Sequence, residues 1–342
     1  MSEVSMIGLD IAKNVFQAHG ADAKGKKLFS QRLSRAKLLP FFAKLPPCVV
    51  GIEACGGSHH WARQLAAMGH QVRLLPAAAV KPFVKRHKSD VIDAAAICEA
   101  MQRPDIHFVP VKSEAQQAAA MTFRLRDMLV RQRTQMINAL RGHLAEFGWI
   151  APQGTGHVAK LGAVLDSPEA ASLPADARDV LKKMVEMIAA SDSQIAELDK
   201  QINQRSREDP VARRLMTIPG IGPIAANAIT ALAPALENFP RARDFAAWLG
   251  LTPLQKSTGG KRKLGHTSKM GERTIRRLLI IGASAVIANA VRRESKPDTW
   301  LGKLLARKPR MLAIVALANK IARIVWAVIT KQQNYRALAA AA

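Results

Sequence analysis

Met6-Ile7-Gly8-Leu9-Asp10 is a short apolar run that ends in a carboxylate, and Val49-Val50-Gly51-Ile52-Glu53 repeats the pattern. Apolar runs of this length read as buried strands. A third stretch, Lys88-Ser89-Asp90-Val91-Ile92-Asp93, opens a helix on which Asp90 and Asp93, spaced i and i+3, share one face. Carboxylates at two strand ends, met by a helical acidic pair, suggest a hard-cation site built from oxygen ligands. Four carboxylates converge only if cations neutralise them. Two Mg²⁺ ions roughly 3.5–4 Å apart in such a site activate a nucleophile and stabilise a leaving oxygen. Taken singly, Asp10, Glu53, Asp90 and Asp93 each also read as a solvated carboxylate, and Asp90 as the cap of a helix from Val91 onwards. Asp22, Glu99 and Asp105 are the acidic residues expected to be dispensable.

Working outward, residues 4–110 read as α/β. Segments 4–10 and 14–19 predict successive strands, and 27–30 a third. A short helix over 35–43 contains Pro40 and ends at Pro46-Pro47. A strand over 48–53, a helix over 58–68 closing at Gly69, a strand over 71–75 and a helix over 89–101 stopped by Pro104 complete the region. A hairpin followed by strand–helix alternation predicts a mixed sheet with helices on its faces. His59-His60 has no third ligand at zinc-like spacing, and is read as the start of a helix near the acidic site.

The acidic site stands in a very basic chain. The net charge is +25, the hallmark of a protein that meets a polyanion. Acids that could bind metal in a chain suited to nucleic acid point to metal-assisted phosphoryl transfer. A membrane partner is not expected. The apolar run 278–288 is too short to span and is bounded by Arg277 and Arg292, and Lys320 and Arg323 interrupt 311–328. Both read as buried helices. Glu3 and Asp10 argue against a secretory signal. Cys48, Cys55 and Cys98 form no CxxC pair and read as reduced, structural thiols of a cytoplasmic protein.

Beyond Pro110 the composition shifts. Segments 113–146 and 175–207 have helical periodicity and read as a coiled-coil-like arm, or as two helices of a compact bundle. Between them, 148–174 is the linker candidate, rich in Gly and Pro. Three regions result: 1–110, 111–207 and 208–342, the last ending in an Ala-rich tail at 337–342 expected to fray. Ile218-Pro219-Gly220-Ile221-Gly222 before a helix resembles the hairpin of a helix-hairpin-helix motif, where Gly220 and Gly222 let backbone N–H groups approach a phosphate. A tight turn between packed helices is the other reading. The segment 256–269 gathers Lys256, Ser257, Thr258, Gly259, Gly260, Lys261, Arg262, Lys263 and Lys269. Cations and hydroxyls contact phosphates, and glycines permit close backbone approach. It is not a Walker A loop, because the G-x-x-x-x-G-K-[ST] pattern is absent. From chemistry alone Ser257 is a phosphate contact, or a nucleophile if a base or metal activates it.

The motifs I-G-L-D-I-A-K at 7–13, G-I-E-A-C-G-G at 51–57 and K-S-D-V-I-D-A at 88–94 resemble the catalytic core of the DEDD-type insertion-sequence transposases. These are bridge-RNA-guided recombinases related to the pilin-gene invertases. I-P-G-I-G-P at 218–223, F-A-A-W-L-G-L-T-P at 245–253, S-T-G-G-K at 257–261 and S-K-M-G at 268–271 are similar to that family's C-terminal domain. The resemblance implies a RuvC-like, RNase H-type N-terminal domain over 1–110, a coiled-coil arm over 111–207, and a helical C-terminal transposase domain over 208–342. It implies that Asp10, Glu53, Asp90 and Asp93 bind Mg²⁺. It implies too that a serine, matched by Ser257 with Thr258 adjoining, attacks DNA and forms a covalent phosphoserine. The implied partners are donor and target DNA, a structured guide RNA, and further copies of the chain as a homodimer that assembles into a homotetramer, in the prokaryotic cytosol. Two rival readings use less of the sequence: a metal-dependent nuclease of the Holliday-junction resolvase kind with water as nucleophile, and a non-catalytic nucleic-acid-binding protein. Aromatic residues are only 5 % of the chain, so the protein is not expected to stack many bases.

Overall fold

The computed structural model describes residues 3–85, 89–150, 154, 158–292 and 299–336. Lys88 of the acidic helix motif, parts of the 148–174 segment and the tail at 337–342 lie outside the described residues. Two compact units divide the chain, Met1–Ala115 and Gln116–Ala342.

The first unit contains β1 (Met6–Ile11), β2 (Val15–Ala21), β3 (Lys27–Ser34), α1 (Leu38–Phe42), β4 (Val49–Glu53), α2 (Ser58–Ala67), β5 (Gln71–Leu75), α3 (Ala77–Val80) and α4 (Asp90–Ala100). The sheet order is β3-β2-β1-β4-β5. The first three strands form an antiparallel meander, and β1, β4 and β5 run parallel. Asp22 closes the β2–β3 turn, accepting backbone N–H bonds from Lys24 and Lys26, each at 2.9 Å. β3 extends to Ser34, beyond the predicted 30, because Ser30, Gln31 and Arg32 lie on an edge strand where apolar alternation is weak. Pro40 falls in the first turn of α1, where no N–H is needed. One face of the sheet buries Ile7, Leu9, Phe16, Val50 and Ile52 against Leu38 and Phe42 of α1 and Trp61 and Leu65 of α2. The other face is covered by α4, through Ala96, Ile97, Cys98 and Met101.

The second unit opens on α5 (Glu114–Glu146, whose first two residues belong to the first unit), followed by α6 (Val158–Leu165) and α7 (Ala175–Glu208). α5 and α7 lie antiparallel: Arg126 forks onto Asp199, with its Nη2–Oδ2 bond at 3.0 Å, and Arg133 pairs with Asp192. The segment read as a linker is instead partly helical. Leu165, Ala170 and Leu173 are buried against Ile137, Leu140 and Leu144 of α5 and Leu181 and Ile188 of α7. Among its described residues Pro168 opens a 3₁₀ turn and Pro174 precedes α7, while Gly162 lies within α6.

The chain then forms α8 (Pro210–Leu215), α9 (Pro223–Leu232), α10 (Ala242–Trp248), a two-stranded hairpin of β6 (Pro253–Gln255) and β7 (Leu264–Thr267), α11 (Arg273–Arg292), α12 (Trp300–Leu305) and α13 (Arg310–Thr330). One large core joins the base of α5 and α7, through Phe123 and Ile202, to α8–α11 and α13. Two helices, α11 and α13, are long and apolar enough to cross a membrane by length and composition. Each instead packs a face into this core: Ile275, Leu279, Ala283 and Ile287 from α11, and Ala313, Ala318, Ala322 and Val325 from α13. The Gly/Lys-rich loop is the tip of the β6–β7 hairpin, a pairing hidden in sequence because both strands are short and largely exposed.

Candidate active site

Strand alternation turns Gly8 and Asp10 of β1, and Gly51 and Glu53 of β4, toward α4. Parallel pairing sets Gly8 beside Gly51 and Leu9 beside Ile52, so Asp10 and Glu53 follow one step further at the strand ends. A Cβ on Gly8 would clash with the Ala94 carbonyl and stand 2.6 Å from the Cys98 nitrogen. One on Gly51 would stand 2.7 Å from Met101 Sδ. The two glycines therefore make a flat strip on which α4 lies almost in backbone contact. That seating carries the first turn of α4, with Asp90 and Asp93, to the carboxylates of the strands. Ser89, not Asp90, caps α4: its side chain accepts the Ile92 N–H, so capping does not account for Asp90. The strip was not read as functional in sequence, although a glycine inside each apolar run signals close approach of another backbone.

The charges of the other three acids all reach Asp10. Asp10 is half-buried, and its carboxyl is pushed up to about 6, first by burial and then by the charges of Asp93, Asp90 and Glu53. Among the described residues no three metal-ligating side chains converge as a ready-made cluster. The four carboxylates are coupled through space. A hard dication fits this all-oxygen set, because it removes the repulsion recorded at Asp10. Cys55, two residues beyond Glu53, is exposed and so not a structural thiol; burial and the charges of Glu53 and Asp10 raise it above the usual thiol range. Cys48 and Cys98 are buried and free. His59 and His60 occupy the first turn of α2, and His59 Nδ1 accepts the Lys112 N–H at 3.2 Å. Of the acids set aside in sequence, Asp22 holds its turn and Glu99 pairs with Arg103.

The basic segment lies in the second unit. Ser257 Oγ accepts the Gln255 side-chain amide at 2.8 Å and the Lys263 backbone N–H at 3.0 Å, which fixes the hydroxyl within the hairpin. Thr258 and Lys261 bridge the tip, whose Gly259 and Gly260 both have positive φ. Lys256, Lys261, Arg262 and Lys263 are exposed around it, and Lys269 follows β7 with φ +54°. Gly220 has φ +88°, and a Cβ there would stand 2.9 Å from the Gly282 carbonyl of α11. This packing accounts for the glycine without a phosphate. Gly222, at the N-terminus of α9, has open space where a Cβ would be.

A mixed sheet with these five strands, acids at adjacent strand ends and an acidic helix laid across them is consistent with an RNase H-like domain of DNA phosphoryl-transfer enzymes. The family model for DEDD transposases of the IS110 type matches residues 7–148, and that for the IS116/IS110/IS902 transposase family matches residues 212–296. The chain is 45 % identical, over 97 % of its length and 99 % of the relative's, to a probable family 20 transposase of Pseudomonas aeruginosa. It is 39 % identical, over 97 % of its length and 98 % of the relative's, to the transposase of insertion sequence IS1328 of Yersinia enterocolitica. It is 35 % identical, over 98 % of its length and 92 % of the relative's, to the transposase of IS1111A of Coxiella burnetii. The class is thus a transposase, an enzyme of DNA phosphoryl transfer. The chain belongs to the IS110 family of DEDD transposases.

Proposed function

We propose that this transposase recombines DNA with two sets of groups, a serine nucleophile and a Mg²⁺ site made by Asp10, Glu53, Asp90 and Asp93. The observation that carries the metal site is the Asp10 carboxyl, raised to about 6 by burial and three like charges. Bound Mg²⁺ would polarise the scissile phosphate and ease deprotonation of the attacking hydroxyl. Ser257 supplies that hydroxyl, and its two N–H donors steady the oxygen as negative charge develops on it. The Oγ–P bond forms as the bond from phosphorus to the deoxyribose oxygen breaks. The serine loses its proton and the leaving oxygen gains one. One ester replaces another, so rejoining by the reverse attack needs no ATP. Lys256, Lys261, Arg262 and Lys263 neutralise nearby phosphates.

Target choice falls to a structured RNA that pairs with donor and target DNA, while the protein reads backbone and shape. The excess of cations and the scarcity of aromatic rings support this division. The working form is a dimer that assembles into a tetramer in the bacterial cytosol, with α5 and α7 as contact elements. The test is cleavage of labelled DNA with Mg²⁺ and the RNA transcribed beside the gene, resolved on a denaturing gel. A covalent protein–DNA band that vanishes in Ser257→Ala, with DNA binding retained, is the expected result. Because the acidic set lies wholly within the first unit, a water-using nuclease is the second reading. Cut DNA without an adduct, unaffected by Ser257→Ala, would establish it instead.

A further inference from the structure

A cavity of about 370 Å³ opens between the loop that leaves β1 after Asp10 and the loop that leaves β4 after Glu53. Its walls include Lys13, Arg35, Gly56, Gly57, His60 and Trp61. Arg35 is fixed there twice. Its Nη1 donates to the Lys13 carbonyl at 3.2 Å, and its guanidinium lies 4.9 Å over the Trp61 ring. His60 meets the same indole edge-on, with ring centroids 5.0 Å apart. Gly56 and Gly57 have nothing within 4 Å of where a Cβ would stand, so the backbone wall is open to a ligand. Among the described residues neither Lys13 nor Arg35 makes an ion pair with a carboxylate.

Cations without a carboxylate partner, on the walls between the loops that follow Asp10 and Glu53, call for an anion that reaches both places. A polynucleotide strand is such an anion, with one phosphate at the carboxylates and the next in the cavity. A base is disfavoured as the occupant: Trp61 is only 6 % exposed, with Arg35 over its face and His60 at its edge, so the indole offers no free face for stacking. We infer that this cavity binds the backbone phosphate neighbouring the one that is cut, with Lys13 and Arg35 as its cationic partners. The site then reads charge and spacing rather than sequence, and holds the strand in register with the carboxylates. This rests on the proposed role of the acidic site as the place of strand cleavage.

The test uses the full chain and a DNA strand whose cut position has been mapped with Mg²⁺. Binding is then measured with Ca²⁺ in place of Mg²⁺, so that affinity is read without cutting. Single uncharged methylphosphonates are walked along the strand. In the wild type, neutralising the phosphate next to the cut weakens binding about tenfold, the size of one charge-assisted contact. Lys13→Ala weakens binding to unmodified DNA by about the same factor, and makes the log–log salt slope shallower by about 0.7–0.9. The decisive result is non-additivity: Lys13→Ala loses nothing further at that one methylphosphonate. Arg35→Ala removes the anchors to Lys13 and Trp61 and risks misfolding, so Lys13→Gln, which removes the charge but keeps most of the side chain, is the second variant and shows the same positional pattern. Lys24→Ala, in the β2–β3 turn, serves as control and is additive at every position. Full additivity for Lys13→Ala and Lys13→Gln, or no loss in either, overturns the inference. Cutting by Asp10→Asn separately judges the acidic site, so the two readings fail independently.

Discussion

Asp10 joins stability to chemistry. Its carboxyl rises from 3.8 to about 6 in the folded protein, so the native state holds this proton more tightly than the unfolded chain does. The stabilising contribution is therefore complete below about pH 4 and is lost as pH rises through about 6. Metal-free protein is expected to show a Tm that falls across that window, and Mg²⁺ at pH 7 should restore it. Asp10→Asn removes the buried charge. It should raise the Tm of the metal-free protein at pH 7, flatten the dependence on pH, and abolish DNA cleavage. A variant less stable than wild type under those conditions would show that Asp10 is not strained by its neighbours.

Among the elements, α4 decides whether there is a site at all. It lies on Gly8 and Gly51, and any side chain at Gly8 must displace its backbone. Gly8→Ala should cost about 1–3 kcal/mol by overpacking. It should also weaken Mg²⁺-dependent cleavage far more than this loss of stability explains, because Asp90 and Asp93 move with the helix. Chemical denaturation beside a Mg²⁺ titration of cleavage checks both. The same region shows what the sequence made legible. Met6–Ile11 and Val49–Glu53 could be read because unbroken apolar runs have few other uses, and the acid ending each run marked the strand end. Asp90 and Asp93 could be read from their spacing. The β6–β7 hairpin could not, because its strands are only three and four residues long and largely exposed, and the charge that stands out lies in the loop between them. Nor could the glycine strip, since the partner backbone that requires it lies far along the chain. The helix within 158–165 was masked by Gly and Pro on either side. Gly220 shows the converse ambiguity: a motif that suggests phosphate approach is also explained by packing against Gly282, the tight-turn reading.

For the molecule as a whole, charge is the dominant property. A net +25 predicts nucleic-acid affinity that falls steeply with salt. With six or more phosphates neutralised, binding should weaken roughly a thousandfold or more between 50 and 200 mM salt. Fluorescence anisotropy over a KCl series measures the slope, and a flat response would mean that charge is not what holds the strand. The helical pair α5 and α7 adds a constraint of a different kind. Arg126 stands opposite Asp199, and seven residues further along α5, Arg133 stands opposite Asp192, seven residues earlier on α7. The two helices are thus geared tooth for tooth, so a deletion in one alone unmeshes every pair beyond it. A matched deletion of seven residues from both keeps the teeth engaged and shortens the pair by about 10 Å. Changes of length that keep both ion pairs are therefore the paired ones.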